Sequence, residues 1–148
     1  GIFLLNDSGI EVEGIKIWGS PVQPFFHDWA FNRRRGAEIK KHWDLIPEDT
    51  EILVTHGPPL GILDVTIRNG EHVGCADLMD KILISQIKLH TFGHIHEGHG
   101  YKYQDGRVFV NASVLDSRYK MISGKPIRVV KGLDDTYLVE NETIENIE

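Results

Sequence analysis

Two stretches decide the fold: Glu51-Ile52-Leu53-Val54-Thr55-His56-Gly57-Pro58-Pro59 and Ile87-Lys88-Leu89-His90-Thr91-Phe92-Gly93-His94-Ile95-His96. Each begins as a short apolar run, the pattern of a central strand covered on both faces. Each then breaks at a glycine with histidine beside it. Between them Cys75, Met79, Ile82, Leu83 and Gln86 trace a helix, with Asp77 near its positive end. Strand, helix and strand in that order predict a parallel βαβ unit with the two strands as neighbours. In open α/β sheets ligands bind outside the carboxyl ends of the strands. His56, His94 and His96 are therefore expected in one crevice.

Upstream, residues 2–5 (Ile-Phe-Leu-Leu) read as a strand and Asp7-Ser8-Gly9 as a turn. Residues 10–13 and 15–18 alternate as a hairpin about Gly14. The Pro-containing stretch 19–26 reads as a surface loop. Ile39, Trp43 and Ile46 form an apolar stripe on a helix over 32–45, capped by Asn32 and ended by Pro47, with Arg33-Arg34-Arg35 as its solvated start. Downstream, residues 60–74 are irregular, with Asn69-Gly70 as a turn. Residues 100–103 and 107–110 flank Gln104-Asp105-Gly106 as a hairpin. Residues 127–130 are the last strand, and the acidic remainder from Gly132 reads as loose. The result is one α/β domain with a mixed sheet and hairpins at both ends.

The 148 residues, 41% hydrophobic, suffice for one core. No apolar run approaches about 18 residues, so no membrane span is expected. A formal charge of -6 argues against a nucleic-acid polymer as partner. The single Cys75 forms no internal disulfide, which points to a reducing, cytoplasmic setting.

Four of the eight histidines fall between His90 and His99. His94 and His96, two apart in an extended segment, project to the same side, and neutral imidazole is a ligand for zinc, iron, nickel and copper. Gly57 with Pro58 sets the turn that presents His56, and Gly93 permits close backbone approach. His99 is a candidate proton donor or substrate contact, or a surface histidine. Trp29 and Phe25 are candidates for stacking on a substrate base, or for packing. His27, His42, His72 and His90 are assigned no role, and Trp18, Trp43 and Cys75 are read as core.

The segments Asn6-Asp7-Ser8-Gly9, Ile17-Trp18-Gly19-Ser20-Pro21, Trp29-Ala30-Phe31-Asn32, Thr55-His56-Gly57-Pro58-Pro59, His72-Val73-Gly74-Cys75, Gly93-His94-Ile95-His96-Glu97-Gly98 and Asn111-Ala112-Ser113 together carry a resemblance. The chain resembles the C-terminal half of a calcineurin-like metallophosphoesterase, closest to the metallophosphoesterase-domain proteins related to class III cyclic-nucleotide phosphodiesterases. The resemblance implies half of a four-layer α/β/β/α sandwich over residues 1–132, followed by an acidic tail, 133–148. It implies two divalent metal ions (Mn, Fe or Zn), with His56 and His94 on one and His96 on the other. It also implies hydrolysis of a small phosphodiester or nucleotide substrate.

The chain departs from that pattern in lacking Asp-x-His, Gly-Asp-x-x-Asp and Gly-Asn-His. Three histidines do not hold two cations about 4 Å apart without an anionic bridge, because the charges repel. With Gly1 at its start, the chain is expected to be part of a larger enzyme and inactive alone. Its expected partner is the complementary N-terminal half or another copy of the chain, covering an exposed sheet face and edge. Two alternatives stand beside this reading: a mononuclear zinc site of three histidines, and a non-catalytic scaffold or interaction fragment.

Overall fold

A computed structural model of the chain describes residues 1–122 and 126–140. Its first strands are β1 (Ser8–Val12), β2 (Ile15–Ser20) and two short pieces, β3 (Gln23–Pro24) and β4 (Asn32–Arg33). Helix α1 (Ala37–Trp43) leads to β5 (Ile52–Thr55), and helix α2 (Ala76–Leu83) to β6 (Leu89–Phe92). The strands β7 (Gly100–Gln104), β8 (Arg107–Asn111), β9 (Arg128–Lys131) and β10 (Tyr137–Glu140) follow. Six of these strands form one mixed sheet in the order β1-β2-β5-β6-β8-β7.

The βαβ unit read from the sequence is its centre. β5 and β6 pair in parallel, with Ile52 opposite Leu89 and Leu53 opposite His90. Both predicted hairpins are present. Their turns place Glu13-Gly14 at φ 51 and 80 and Asp105-Gly106 at φ 51 and 72, the doubly positive geometry that matches strand twist.

Side-chain alternation divides the core in two. Leu53, Phe92 and Phe109 join Ile39, Trp43, Leu78 and Ile82 of the helices on one face. Fully burying each of these large side chains contributes about 1.5–3 kcal/mol. Leu89, Val108 and Val110 meet Tyr137, Val129 and Val139 of the β9–β10 ribbon on the other. The Tyr137 hydroxyl donates to the Glu51 carboxylate at 2.6 Å, and Lys131 pairs with the same carboxylate at 2.7 Å. These bonds pin the ribbon to the sheet.

Three expectations are corrected. Residues 2–5 form no strand; Ile2, Phe3 and Leu4 are exposed, and only Leu5 packs, over Gly19. Apolar, β-prone residues make a ladder only beside a strand that shares their hydrogen bonds. Helix α1 starts at Ala37 because the Asn32 side chain serves the loop before it, donating to His27 O at 2.9 Å and accepting from Phe26 N at 3.2 Å. Gly36, at φ 80, opens the helix, and its N–H donates to Asp77 at 2.9 Å. The stretch expected to be loose after Gly132 folds back as β10 as far as Glu140. The remainder of the predicted tail, 141–148, lies outside the described residues. Among the described residues no helix is long and apolar enough to cross a membrane.

Candidate metal centre

The two central strands deliver their histidines side by side. The Thr55 hydroxyl donates to Gly57 O at 2.7 Å and accepts the Nε2–H of His90 at 2.7 Å, tying the turn after β5 to the interior of β6. The Gly93 N–H donates to His56 O at 3.0 Å, joining the two turns directly. His56 Nε2 and His94 Nδ1 then lie 3.1 Å apart. His94 adopts φ 68, a left-handed conformation that costs a non-glycine residue about 1–3 kcal/mol.

His96 enters the same cleft from the 3-10 turn His96–Gly98. Its Nδ1–H donates to Asp116 O at 2.9 Å, which assigns the tautomer and leaves Nε2 as the ligand-capable nitrogen. The Asp116 carboxylate accepts from Arg118 N at 2.8 Å and Lys120 N at 2.9 Å, closing the loop that supplies this carbonyl. Tyr119 lies edge-on to His96 with ring centroids 5.4 Å apart.

The cleft has a volume of about 520 Å³. Phe25, Phe26 and Trp29 form its aromatic wall, with Phe26 and Trp29 standing 5.5 and 5.7 Å from His94 by ring centroids. The structure thus brings His56, His94, His96 and Trp29 together. His99 is placed apart, in a separate cavity of about 460 Å³ lined by Leu89, Val110, Met121 and Ile127 on the ribbon side of the sheet. The 3-10 turn redirects the chain between His96 and His99, so sharing a loop does not mean sharing a pocket.

The four histidines assigned no role have structural partners. His90 is wholly buried, His42 meets Asp7 at 2.7 Å, His72 meets the buried Asp64 at 2.7 Å, and His27 packs edge-on to Phe26. A Cβ at Gly57 or Gly93 would make only ordinary contacts, so neither turn needs glycine for space. Among the described residues, glycines pressed against neighbouring backbone include Gly74, against Pro59 O, and Gly98, against Leu63 O.

Arg35, Phe26 and Tyr119 are among the cleft residues that escaped the sequence reading. Arg35 lies on the wall with its guanidinium donating to Val73 O and Gly74 O, both at 2.6 Å. Phe26 and Tyr119 complete the aromatic lining. The arginine run was the only signal for Arg35, and its partners lie 38 and 39 residues away.

Burial holds the His56 imidazole below its ordinary pKa. Burial, reinforced by the neighbouring His56 and His96, lowers His94 to about 4. Neutral imidazoles keep a lone pair free for a metal. Two nitrogens bound to one tetrahedral ion at 2.0–2.1 Å stand about 3.3 Å apart, so the 3.1 Å spacing of His56 and His94 fits a shared divalent ion. Among the described residues no group of three or more His, Cys, Asp or Glu side chains is placed to hold one ion. What the cleft presents is one close pair of imidazoles, His56 and His94, with His96 set beside it.

No protein-family model matches the chain. It is 45% identical over 120 residues to the human metallophosphoesterase domain-containing protein 1, covering 80% of this chain and 37% of that protein. It is 44% identical over 113 residues to the UPF0046 protein T07D4.2 of Caenorhabditis elegans, covering 76% of this chain and 28% of that protein. A crystal structure 18% identical in sequence shares the fold with a TM-score of 0.53, over 74% of this chain and 45% of that one. The chain thus spans 37% and 28% of the length of these two curated relatives. Over that shared stretch it belongs to the metallophosphoesterase-related family.

Proposed function

We propose that this chain contributes the histidine side of a two-metal phosphoesterase centre acting on a small phosphodiester, a cyclic nucleotide being the leading candidate. The observation that carries this reading is the pair His56 Nε2 and His94 Nδ1 at 3.1 Å, at the carboxyl ends of adjacent parallel strands. His96 stands in the same cleft, oriented by a backbone carbonyl. His56 and His94 would hold one divalent ion, Mn, Fe or Zn, and His96 a second. Such ions supply charge neutralisation on the phosphoryl oxygens.

The chain's own residues do the rest. The Asp116 loop keeps His96 in one tautomer. Arg35 sets a fixed positive charge on the wall. Trp29 and Phe26 offer a planar surface to whatever the phosphoryl group carries. The bridging carboxylate and remaining ligands would come from a complementary segment, as the family resemblance implies, and a four-layer sandwich would be completed when that segment covers the ribbon side of the sheet. A second copy of the chain is the other candidate for that face.

The test supplies the preceding segment of a relative in trans, adds Mn²⁺, and assays a chromogenic phosphodiester. Turnover is expected, and His96→Ala is expected to reduce it at least about tenfold, since even supporting groups of metal ligands are worth 10–100-fold. Turnover unaffected by His96→Ala contradicts the assignment of His96. No turnover with any of Mn²⁺, Fe²⁺ or Zn²⁺ contradicts the catalytic reading.

A further inference from the structure

A four-residue polar relay runs from the sheet to the aromatic wall of the cleft. Ser20 Oγ–H donates to Asp7 Oδ1 at 2.6 Å. His42 Nδ1–H donates to Asp7 Oδ2 at 2.7 Å, and Arg33 Nε–H donates to His42 Nε2 at 2.9 Å. Arg33 sits in β4, whose pairing with β3 closes the loop of residues 25–31. Phe25 N donates to Arg33 O at 2.9 Å, so this residue holds the loop by both backbone and side chain.

The chemistry of the relay fixes one proton. A guanidinium is always charged and has only donors. His42 Nε2 must therefore offer a lone pair, and the ring is neutral with its hydrogen on Nδ1. A proton taken up from solvent at Nε2 would set donor against donor and cation against cation. The charged groups facing His42 are Asp7 from the amino-terminal segment and Arg33 from β4; Glu38 lies one turn back on α1 itself. Asp7 gains from the protonated ring, whereas Arg33 loses its acceptor.

We propose that His42 is a proton-operated latch: neutral, it ties Arg33 and the aromatic loop against the histidine cleft, and protonated, it stays with Asp7 and releases Arg33. The latch is independent of whether the cleft binds metal, because none of its members lines the three-histidine site.

Hydrogen exchange of the whole chain between about pH 8 and pH 5, the range in which histidine titrates, tests it. The reporters are the amides of Phe25 and Gln23, bonded to Arg33 O and Phe31 O. Corrected for intrinsic rate, their protection is expected to fall about tenfold as His42 protonates, the scale of one hydrogen bond to a charged group. His42→Gln, whose amide oxygen does not titrate, is expected to abolish that pH dependence while the amides of β5 and β6 stay protected. Protection that is flat with pH in the wild-type protein overturns the proposal, whether or not His42 titrates by NMR. So does an unchanged pH dependence in His42→Gln.

Discussion

His90 and His94 lie four residues apart, one inside β6 and one in the turn beyond it, and burial depresses both below the usual imidazole range. Their surroundings separate them. His90 is 0% exposed, lies between Phe92 and Phe109, and gives its one bonded nitrogen to Thr55. His94 stands in an open cleft with a nitrogen aimed at another imidazole. Clustering of histidines therefore says little by itself. Position relative to the end of a strand decides which one holds the fold and which one is available for chemistry.

The largest effect expected from this contrast is on stability. His90→Ala empties a core position and removes one of the two partners of the Thr55 hydroxyl, so it should cost about 2–4 kcal/mol in urea denaturation. His94→Ala should cost less than about 1 kcal/mol, because it truncates a partly exposed side chain and leaves the backbone conformation as it was. Equal losses at the two positions would break the distinction.

Acid behaviour sharpens it. The folded pKa of His90 is lowered from 6.5 to about 3, so below pH 6.5 the unfolded chain binds the extra proton. Stability from this group is thus full above 6.5 and is lost as pH falls towards 3, by up to about 1.4 kcal/mol per pH unit. His90→Gln keeps a donor for Thr55 and should flatten that part of the stability–pH curve. An unchanged slope would place the acid sensitivity elsewhere.

A smaller effect is expected at the edge of the site. Asp116→Ala removes the carboxylate that shapes the loop whose carbonyl orients His96. In the proposed centre, completed by the complementary segment, metal affinity should fall about 10–100-fold, with folding stability changed by less than about 1 kcal/mol. Isothermal titration and denaturation of the same variant check both halves of that statement.

Much of this was legible in the chain. The apolar runs at β5 and β6 and the helix between them specified the parallel unit, and the strand-end rule brought three imidazoles to one cleft. Information carried by distant partners was not legible. Asn32 has the composition of a helix cap, yet its loop claims the side chain first. The stretch from Gly132 is acidic as a whole, which hid the apolar run 137–139, and Tyr137 finds Glu51 across 86 positions. His99 shares a loop with His96 and still faces another cavity, because one 3-10 turn redirects the chain. Arg35 reached the cleft wall through carbonyls that no local pattern announces.

The most direct measurement is a titration of the intact chain with Zn²⁺, followed through the imidazole resonances of His56, His94 and His90. The His56 and His94 signals are expected to shift together at the first equivalent while His90 stays still, and His56→Ala is expected to remove the response of His94. Signals from His56 and His94 that ignore the metal, or that move independently of each other, would contradict a shared ion.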